Sequence, residues 1–146
     1  MSVTYRSARK SDAKACASIV QVWGAETPWM VPLDDLDAMA AFWADLLELD
    51  TAWVAEMDGA VVGFCVREEA NIDGLYVAAH ARNQGVGKAL LDLAKADRDR
   101  LEIWVYEKNE HAHAFYKREG CKDVSRELDE HEGSDLMYVG CEWVRP

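Results

Sequence analysis

The stretch RNQGVGK, residues 82–88, lies between a predicted strand and a predicted helix. Its two glycines let the backbone turn sharply, so that successive N–H groups can point at one spot at the positive end of the helix dipole. Such a turn is suited to bind an anion, above all a phosphate. Taken alone, the pattern is equally that of a simple tight turn entering a helix.

Two better-known phosphate-binding motifs are excluded by the residues themselves. A P-loop would need Gly at position 82 and Ser or Thr at position 89, where the chain has Arg82 and Ala89. A dinucleotide-binding fingerprint would need Gly or Ala at position 90, which is Leu90.

The segments on both sides of this turn predict a mixed α/β (α+β) fold. Apolar residues recur at helical spacing from Asp12 and again over 36–47, whereas residues 52–57 and 60–66 are strand-like and joined by Asp58-Gly59, a dipeptide typical of a hairpin turn. The predicted order is β α α β β β α β α β β. It indicates a mostly antiparallel central sheet flanked by helices.

Length and charge predict the number of domains and exclude some kinds of partner. A chain of 146 residues without linkers or repeats predicts one domain over residues 1–146. Its net charge of −11 argues against nucleic acid as a partner. The sequence has no apolar run of membrane-spanning length, and its N-terminus is polar and charged, so we expect no membrane partner, no secretory signal and a cytoplasmic location.

The cysteines and histidines predict no metal site. Four cysteines are widely spaced without a CxxC pair, as is typical of buried free thiols. His111 and His113 lie about 200° apart on a helix, and no His/Cys/Asp/Glu set has the spacing of metal ligands.

Three motifs in order carry a family resemblance. The first is Leu75-Tyr76-Val77 followed by the glycine-rich turn, which begins at Arg82, five positions after Val77. The second is the later segment Asn109-x-x-Ala112-x-x-Phe115-Tyr116-x-x-x-Gly120. With the opening Arg6-x-Ala8-x-x-x-Asp12-Ala13, this pattern resembles the GNAT (GCN5-related N-acetyltransferase) superfamily over essentially the whole chain.

The resemblance implies acetyl-CoA as co-substrate. It implies that the strand at Leu75, Tyr76 and Val77 pairs through its backbone with the pantetheine arm, which Asn109 and Phe115 also contact. The pyrophosphate would be held by the turn, through backbone amides and two basic side chains. The turn residues are Arg82, Asn83, Gln84, Gly85, Val86, Gly87 and Lys88.

The resemblance also implies that Tyr116 is the general acid that protonates the leaving thiolate. A phenol with a pKa of about 10 is protonated at neutral pH, and the Val77 amide can polarise the thioester carbonyl. The general base, which takes the proton from the attacking amine, is less defined, because some family members have Glu where this chain has Trp104. Glu102 and Asp73 are the candidates, and a water chain or an amine that arrives neutral would also serve.

The acceptor is expected to be a cationic primary amine, on a small molecule or a peptide. Residues 26–81 contain twelve acidic residues and only Arg67 as a base, and Trp faces can bind ammonium groups. Trp23, Glu26 and Trp29, with the acidic loop at 127–134, are the candidate acceptor-binding residues, although the tryptophans could equally be core residues.

The sequence leaves two functions open. One is an N-acetyltransferase in which the amine attacks the thioester directly. The alternative is a non-catalytic acyl-CoA-binding module or sensor, which the absence of Glu at position 104 supports. Strand edges near the C-terminus would permit a homodimer.

Overall fold

The computed structural model describes residues 2–129 and 135–146. Its strands and helices follow the predicted order, and the fold class is confirmed. The strands are β1 (Val3–Ser7), β2 (Thr51–Met57), β3 (Ala60–Glu68), β4 (Asn71–Val77), β5 (Arg100–Tyr106), β6 (Lys122–Leu128) and β7 (Met137–Val144), and the helices are α1 (Ala13–Ala25), α2 (Leu36–Leu49), α3 (Val86–Lys95) and α4 (Glu110–Arg118).

Local sequence signals set several of these boundaries. The predicted hairpin turn at Asp58-Gly59 has φ of 54° and 80°, both positive as a type I′ turn requires. The Asp35 side chain accepts a hydrogen bond from the Ala38 amide at 2.8 Å and so caps the start of α2. Helix α3 begins directly after Gly85 of the glycine-rich turn, where the sequence predicts a helix, and ends at Lys95.

The seven strands form one sheet in the order β1-β2-β3-β4-β5-β7-β6. Every neighbouring pair is antiparallel except β4 and β5, which run parallel. Helices α1 and α2 pack on one face of the sheet, around Val54, Phe64 and Val66. The other face packs against α3, around Leu90, Leu91 and Ile103. The sheet is therefore buried on both faces at its centre.

The parallel pair is the feature that creates a site. Strands β4 and β5 pair only at Asn71–Glu102 and Ile72–Ile103, and then separate. On its other side β4 carries a β-bulge at Asp73, because Val66 pairs with Gly74 while Arg67 pairs with Ile72. The sheet therefore opens into a gap whose closed end lies at Ile72.

The four cysteines are free and buried, as the sequence predicts. No helix among the described residues is long and apolar enough to cross a membrane.

Candidate active site

The glycine-rich turn ends in a helix start with unpaired amides. Asn83 and Gly85 have positive φ, 62° and 78°, and Gly85 is the N-cap of α3. The amide of Ala89 is bonded to the Gly85 carbonyl at 3.0 Å as the first hydrogen bond of the helix. The amides of Val86 and Gly87 precede that bond and have no partner within the helix. A Cβ on Gly85 would meet nothing within 4 Å, so the turn faces open space.

Strand β4 presents two further N–H groups to the gap. The Ala78 amide donates to the Val62 carbonyl of β3 at 2.7 Å. Because successive backbone groups of a strand point in opposite directions, the N–H groups of Leu75 and Val77 point away from β3, toward the gap. The Nε of Arg82 donates to the Val77 carbonyl at 3.1 Å, as expected of a group that β3 does not bind.

A cleft joins the turn, β4 and helix α4. It contains most of the residues predicted to hold acetyl-CoA, together with residues that the motifs did not indicate. From the prediction it contains Leu75, Tyr76, Val77, Arg82, Asn83, Gly85, Val86, Gly87, Lys88, Asn109, Phe115 and Tyr116; the additions include Thr27, His111, Arg118 and Glu119. We call it the donor cleft.

The two basic side chains of the turn are each paired with acids. Arg82 lies 3.5 Å from a carboxylate oxygen of Glu26, and the ammonium of Lys88 lies 3.1 Å from Glu119 and 3.3 Å from Asp92. These hydrogen bonds, that to Glu119 first, raise the pKa of Lys88. Each cation keeps N–H donors that these acids do not use, and the acids lower the positive charge that a phosphate would meet.

Helix α4 brings the later motif to the cleft. The Asn109 side chain caps the helix, with its oxygen 3.2 Å from the Ala112 amide, which leaves its NH₂ for a ligand. Phe115 lies beside Gly87, where an added Cβ would be 3.5 Å from the ring. Gln84 does not line the donor cleft, and its side-chain amide donates to the His80 carbonyl at 3.2 Å. Its predicted role concerns its backbone amide and stays a prediction.

A second cavity opens on the other side of the gap, between β4, β5 and β7. We call it the acceptor cavity. Six residues line both this cavity and the donor cleft: Trp23, Leu75, Tyr76, Asn109, Ala112 and Tyr116. Its own lining includes Asp73, Trp104, Tyr106, Glu127 and Tyr138.

Tyr116 lies where the two cavities meet. It is 6% exposed, and burial raises the pKa of its phenol well above the ordinary value. The phenol therefore keeps its proton throughout the neutral range. This is the protonation state that a proton donor needs.

Asp73 is the acidic side chain that the bulge in β4 directs into the acceptor cavity. Burial raises its pKa to about 6, a hydrogen bond from Asn71 at 2.7 Å opposes this, and the neighbouring Asp50 and Glu68 add to it. Oxygens of the three carboxylates lie within 4.8 Å of one another. Such a carboxyl titrates close to neutral pH, as a general base should.

Glu102, the other candidate base, is placed differently. It pairs with Asn71 at the closed end of the gap, and its carboxylate forms an ion pair with Arg100. Neither cavity has Glu102 in its lining.

Two of the three candidate acceptor-binding residues line a cavity, and Trp29 lines neither. Trp23 lines both, whereas Glu26 lines the donor cleft only. Trp29 packs edge-on against Trp23 and Tyr106, with ring centroids 6.1 and 5.6 Å apart. Of the loop at 127–134, Glu127 lines the acceptor cavity, and residues 130–134 lie outside the described residues.

The fold also assembles a cluster that local spacing could not show. Asp123 is bonded to His113 at 2.8 Å and to the Cys141 thiol at 3.3 Å through one oxygen, and lies 3.4 Å from Lys117 through the other. Its members thus already bind one another, and they surround neither cavity.

The sequence of this chain is similar to those of known proteins. Residues 48–121 match the family model described as Acetyltransferase (GNAT) domain. The chain is 31% identical over 124 residues to the peptidyl-lysine N-acetyltransferase YiaC of Escherichia coli, covering 79% of this chain and 80% of YiaC. The chain belongs to the GNAT acetyltransferase family.

Solved structures agree with this GNAT fold. The solution structure of apo-form YjaB from Escherichia coli superposes with a TM-score of 0.80 at 24% identity over the full length of both chains. The structure of yncA from Salmonella typhimurium with its cofactor acetyl-CoA has a TM-score of 0.77 at 17% identity, covering 100% of this chain and 95% of yncA.

This GNAT protein is therefore an acetyl-CoA-dependent N-acetyltransferase whose acceptor is an amine. The amides of the turn and of β4 fit the donor, since they face open space along one cleft. The sequence did not indicate that Glu26 pairs with Arg82 or that Glu119 and Asp92 pair with Lys88, and it did not indicate Tyr106 or Tyr138 as site residues. Only the alternation of polar and apolar residues along β5 indicated that Tyr106 shares a face with Trp104.

Proposed function

We propose that the acceptor is the ε-amine of a lysine side chain within a protein. The observation that carries the proposal is the acceptor cavity, which combines aromatic walls with the Asp73 carboxylate and reaches the donor cleft at Tyr116. Aromatic faces suit a long alkyl stem and its ammonium group, and the carboxylate suits the charge. The relatives YiaC and YjaB, named as peptidyl-lysine N-acetyltransferases, support it.

The donor residues follow from the cleft. Acetyl-CoA supplies an activated acetyl thioester. The amides of Val86, Gly87 and Lys88 hold its pyrophosphate at the start of α3. Leu75 and Val77 bind the pantetheine arm with the N–H groups that point into the gap, and Asn109 and Phe115 contact it from α4.

The chemistry requires two proton transfers. The amine nitrogen forms a bond to the carbonyl carbon of the thioester, and the carbon–sulfur bond breaks. Asp73 accepts the proton that the attacking amine loses, and Tyr116 gives its proton to the departing sulfur. The products are the N-acetyl amide and free CoA thiol, and no acyl-enzyme is formed.

A set of peptides tests the acceptor. One peptide carries a single lysine and a blocked N-terminus, and its partner carries norleucine in place of lysine and a free N-terminus. We expect thiol release and a mass increase of one acetyl group with the first peptide alone. Faster acetylation of the free N-terminus would overturn the lysine assignment. Stabilisation by acetyl-CoA without thiol release for any amine would instead favour the acyl-CoA-binding module.

Three properties of the chain stay predictions. They are a single domain over residues 1–146, a cytoplasmic location and a homodimer. A molar-mass measurement by light scattering tests the dimer, for which a mass near the 16.4 kDa of one chain would be the contrary result.

A further inference from the structure

Two tyrosines on neighbouring strands form a hydrogen-bonded pair in the wall of the acceptor cavity. Tyr106 at the end of β5 lies opposite Tyr138 on β7. Their rings are stacked, with centroids 4.3 Å apart and planes inclined by 21°. The Tyr138 hydroxyl donates to the Tyr106 oxygen at 2.8 Å, and both residues line the cavity.

A carboxylate fixes the direction of this hydrogen-bonded chain. Oδ2 of Asp129 lies 3.4 Å from the Tyr106 oxygen. Because an ionised carboxylate only accepts, Tyr106 gives its single hydroxyl proton to Asp129. Its oxygen then accepts the proton of Tyr138. Tyr138 has no proton left to offer, so its oxygen can act toward the cavity only as a hydrogen-bond acceptor.

The surrounding aromatic rings keep the pair in place. Trp29 packs edge-on against Tyr106 and Trp104 edge-on against Tyr138, with centroid separations of 5.6 and 6.5 Å. Burial first, then the bond from Tyr138, raises the pKa of Tyr106. Tyr106 therefore stays protonated, as the chain of donors requires.

We propose that Tyr138 binds the acceptor amine by accepting a hydrogen bond from its N–H, and that Tyr106 and Asp129 are positioning residues that keep the Tyr138 oxygen a pure acceptor. The inference rests on the proposed function, because it takes the acceptor cavity as the place of the amine. An oxygen acceptor among aromatic faces distinguishes a cation that carries an N–H from one that carries only methyl groups.

Two unreactive peptides test this distinction. Both are blocked at the N-terminus and differ only in whether their one lysine is dimethylated or trimethylated. Both side chains are cationic, but only the dimethylated one has an N–H, and neither can form a stable amide. Their affinities are measured by calorimetric titration in the presence of CoA and, where lysine peptide is acetylated, as competitive inhibition constants.

For the unmodified protein we expect about ten-fold or more tighter binding of the dimethylated peptide, the effect of a hydrogen bond from a charged donor. Tyr138→Phe should lose most of this ratio, and the part that remains reflects the Asp73 carboxylate, which lines the same cavity and also accepts hydrogen bonds. Tyr106→Phe should lose part of the ratio, because Tyr138 is then free to turn its proton toward the cavity. Tyr5→Phe on β1 is the matched control and should keep the ratio, and the KM for acetyl-CoA should stay unchanged in all three variants.

The outcomes separate this inference from the proposed function. A Tyr138→Phe variant that keeps the original ratio would show that Tyr138 is structural and would overturn the inference. A protein that shows the ratio but acetylates no lysine peptide would overturn the proposed acceptor and leave the role of Tyr138 supported. Failure to bind either methylated peptide would overturn the inference, and it would overturn the proposed acceptor as well only if the unmodified lysine peptide were also not acetylated.

Discussion

Tyr116 is one of the six residues that line both cavities, and its phenol is buried and protonated. We predict that Tyr116→Phe lowers kcat by about 100-fold or more, the usual effect of losing a general acid. The KM for acetyl-CoA should stay nearly constant, because the change removes one oxygen that acts only as the sulfur departs. Initial rates of thiol release at varied acetyl-CoA measure both constants.

Tyr5→Phe serves again as the matched control, since Tyr5 lies on β1, away from both cavities. Full activity of Tyr116→Phe would mean that another group protonates the thiolate. A raised KM with an unchanged kcat would assign Tyr116 to donor binding.

The pKa of Asp73 predicts how kcat/KM changes at acid pH. With a pKa of about 6, it is protonated and inactive as a base below that pH. We expect kcat/KM for the amine to fall as the pH drops through about 6. Asp50→Asn removes a charge that raises the pKa of Asp73, so it should move this fall to lower pH. Glu102→Gln is the control, because the Glu102 carboxylate pairs with Arg100. It should leave the pH dependence of kcat/KM unchanged.

The same raised pKa predicts an effect on stability with the opposite sign from that on activity. The folded protein binds a proton at Asp73 more tightly than the unfolded chain does, so the free energy of unfolding decreases as the pH rises from the ordinary value of 3.8 to about 6. Above that range the charged Asp73 carboxylate keeps the free energy of unfolding lower than it would be with a neutral side chain. Asp73→Asn should therefore raise the midpoint of thermal unfolding at neutral pH while lowering kcat. A lower midpoint would show that the charge is needed by the fold.

At the scale of elements, the turn before α3 depends on one left-handed glycine. Gly85 has φ +78° and open space around it, so Gly85→Ala meets no clash but costs about 1–2 kcal/mol of backbone strain. Relief of that strain would rotate the amides at the start of α3. We therefore expect a lower free energy of unfolding and a smaller rise of the thermal midpoint with acetyl-CoA.

Gly59 provides a matched comparison, because it has φ +80° and also has nothing within 4 Å of an added Cβ. Gly59→Ala in the β2–β3 turn should cost similar stability and leave the response to acetyl-CoA unchanged. Equal responses in both variants would show that the amides at the start of α3 do not hold the donor.

Elements were easier to predict than the contacts between them. The Asp58-Gly59 turn and the apolar stripes of α1 and α2 can be predicted from residues that are close in sequence, because one turn or one helix face depends only on local spacing. The pairing of Lys88 with Glu119, or of Tyr106 with Tyr138, joins positions 31 and 32 residues apart. Such contacts depend on sheet order and register, which periodicity does not encode.

The raised pKa of Asp73 has the same origin. Asp50, Glu68 and Asp73 come from the end of α2, from β3 and from β4, and only the assembled sheet brings their carboxylates together. The sequence could therefore name Asp73 as a candidate base but could not predict its proton affinity.

At the scale of the molecule, the gap in the sheet predicts a pattern of hydrogen exchange. The N–H groups of Leu75 and Val77 point into the gap, whereas those of Gly74 and Tyr76 point to β3. We expect acetyl-CoA to slow amide exchange at Leu75 and Val77 and to change Gly74 and Tyr76 little. Exchange followed by NMR with and without acetyl-CoA measures this, and uniform slowing along β4 would indicate general stabilisation instead of strand-like pairing.

Only two residue pairs join β4 to β5, so the sheet is held together weakly at the place where we propose that the donor binds. A ligand that binds only the closed molecule suppresses opening at such a place. Proteases cut opened chains, so a cell short of acetyl-CoA would degrade this protein faster than a well-fed one. The amount of the enzyme, and not only its rate, would then follow the metabolic supply of its donor.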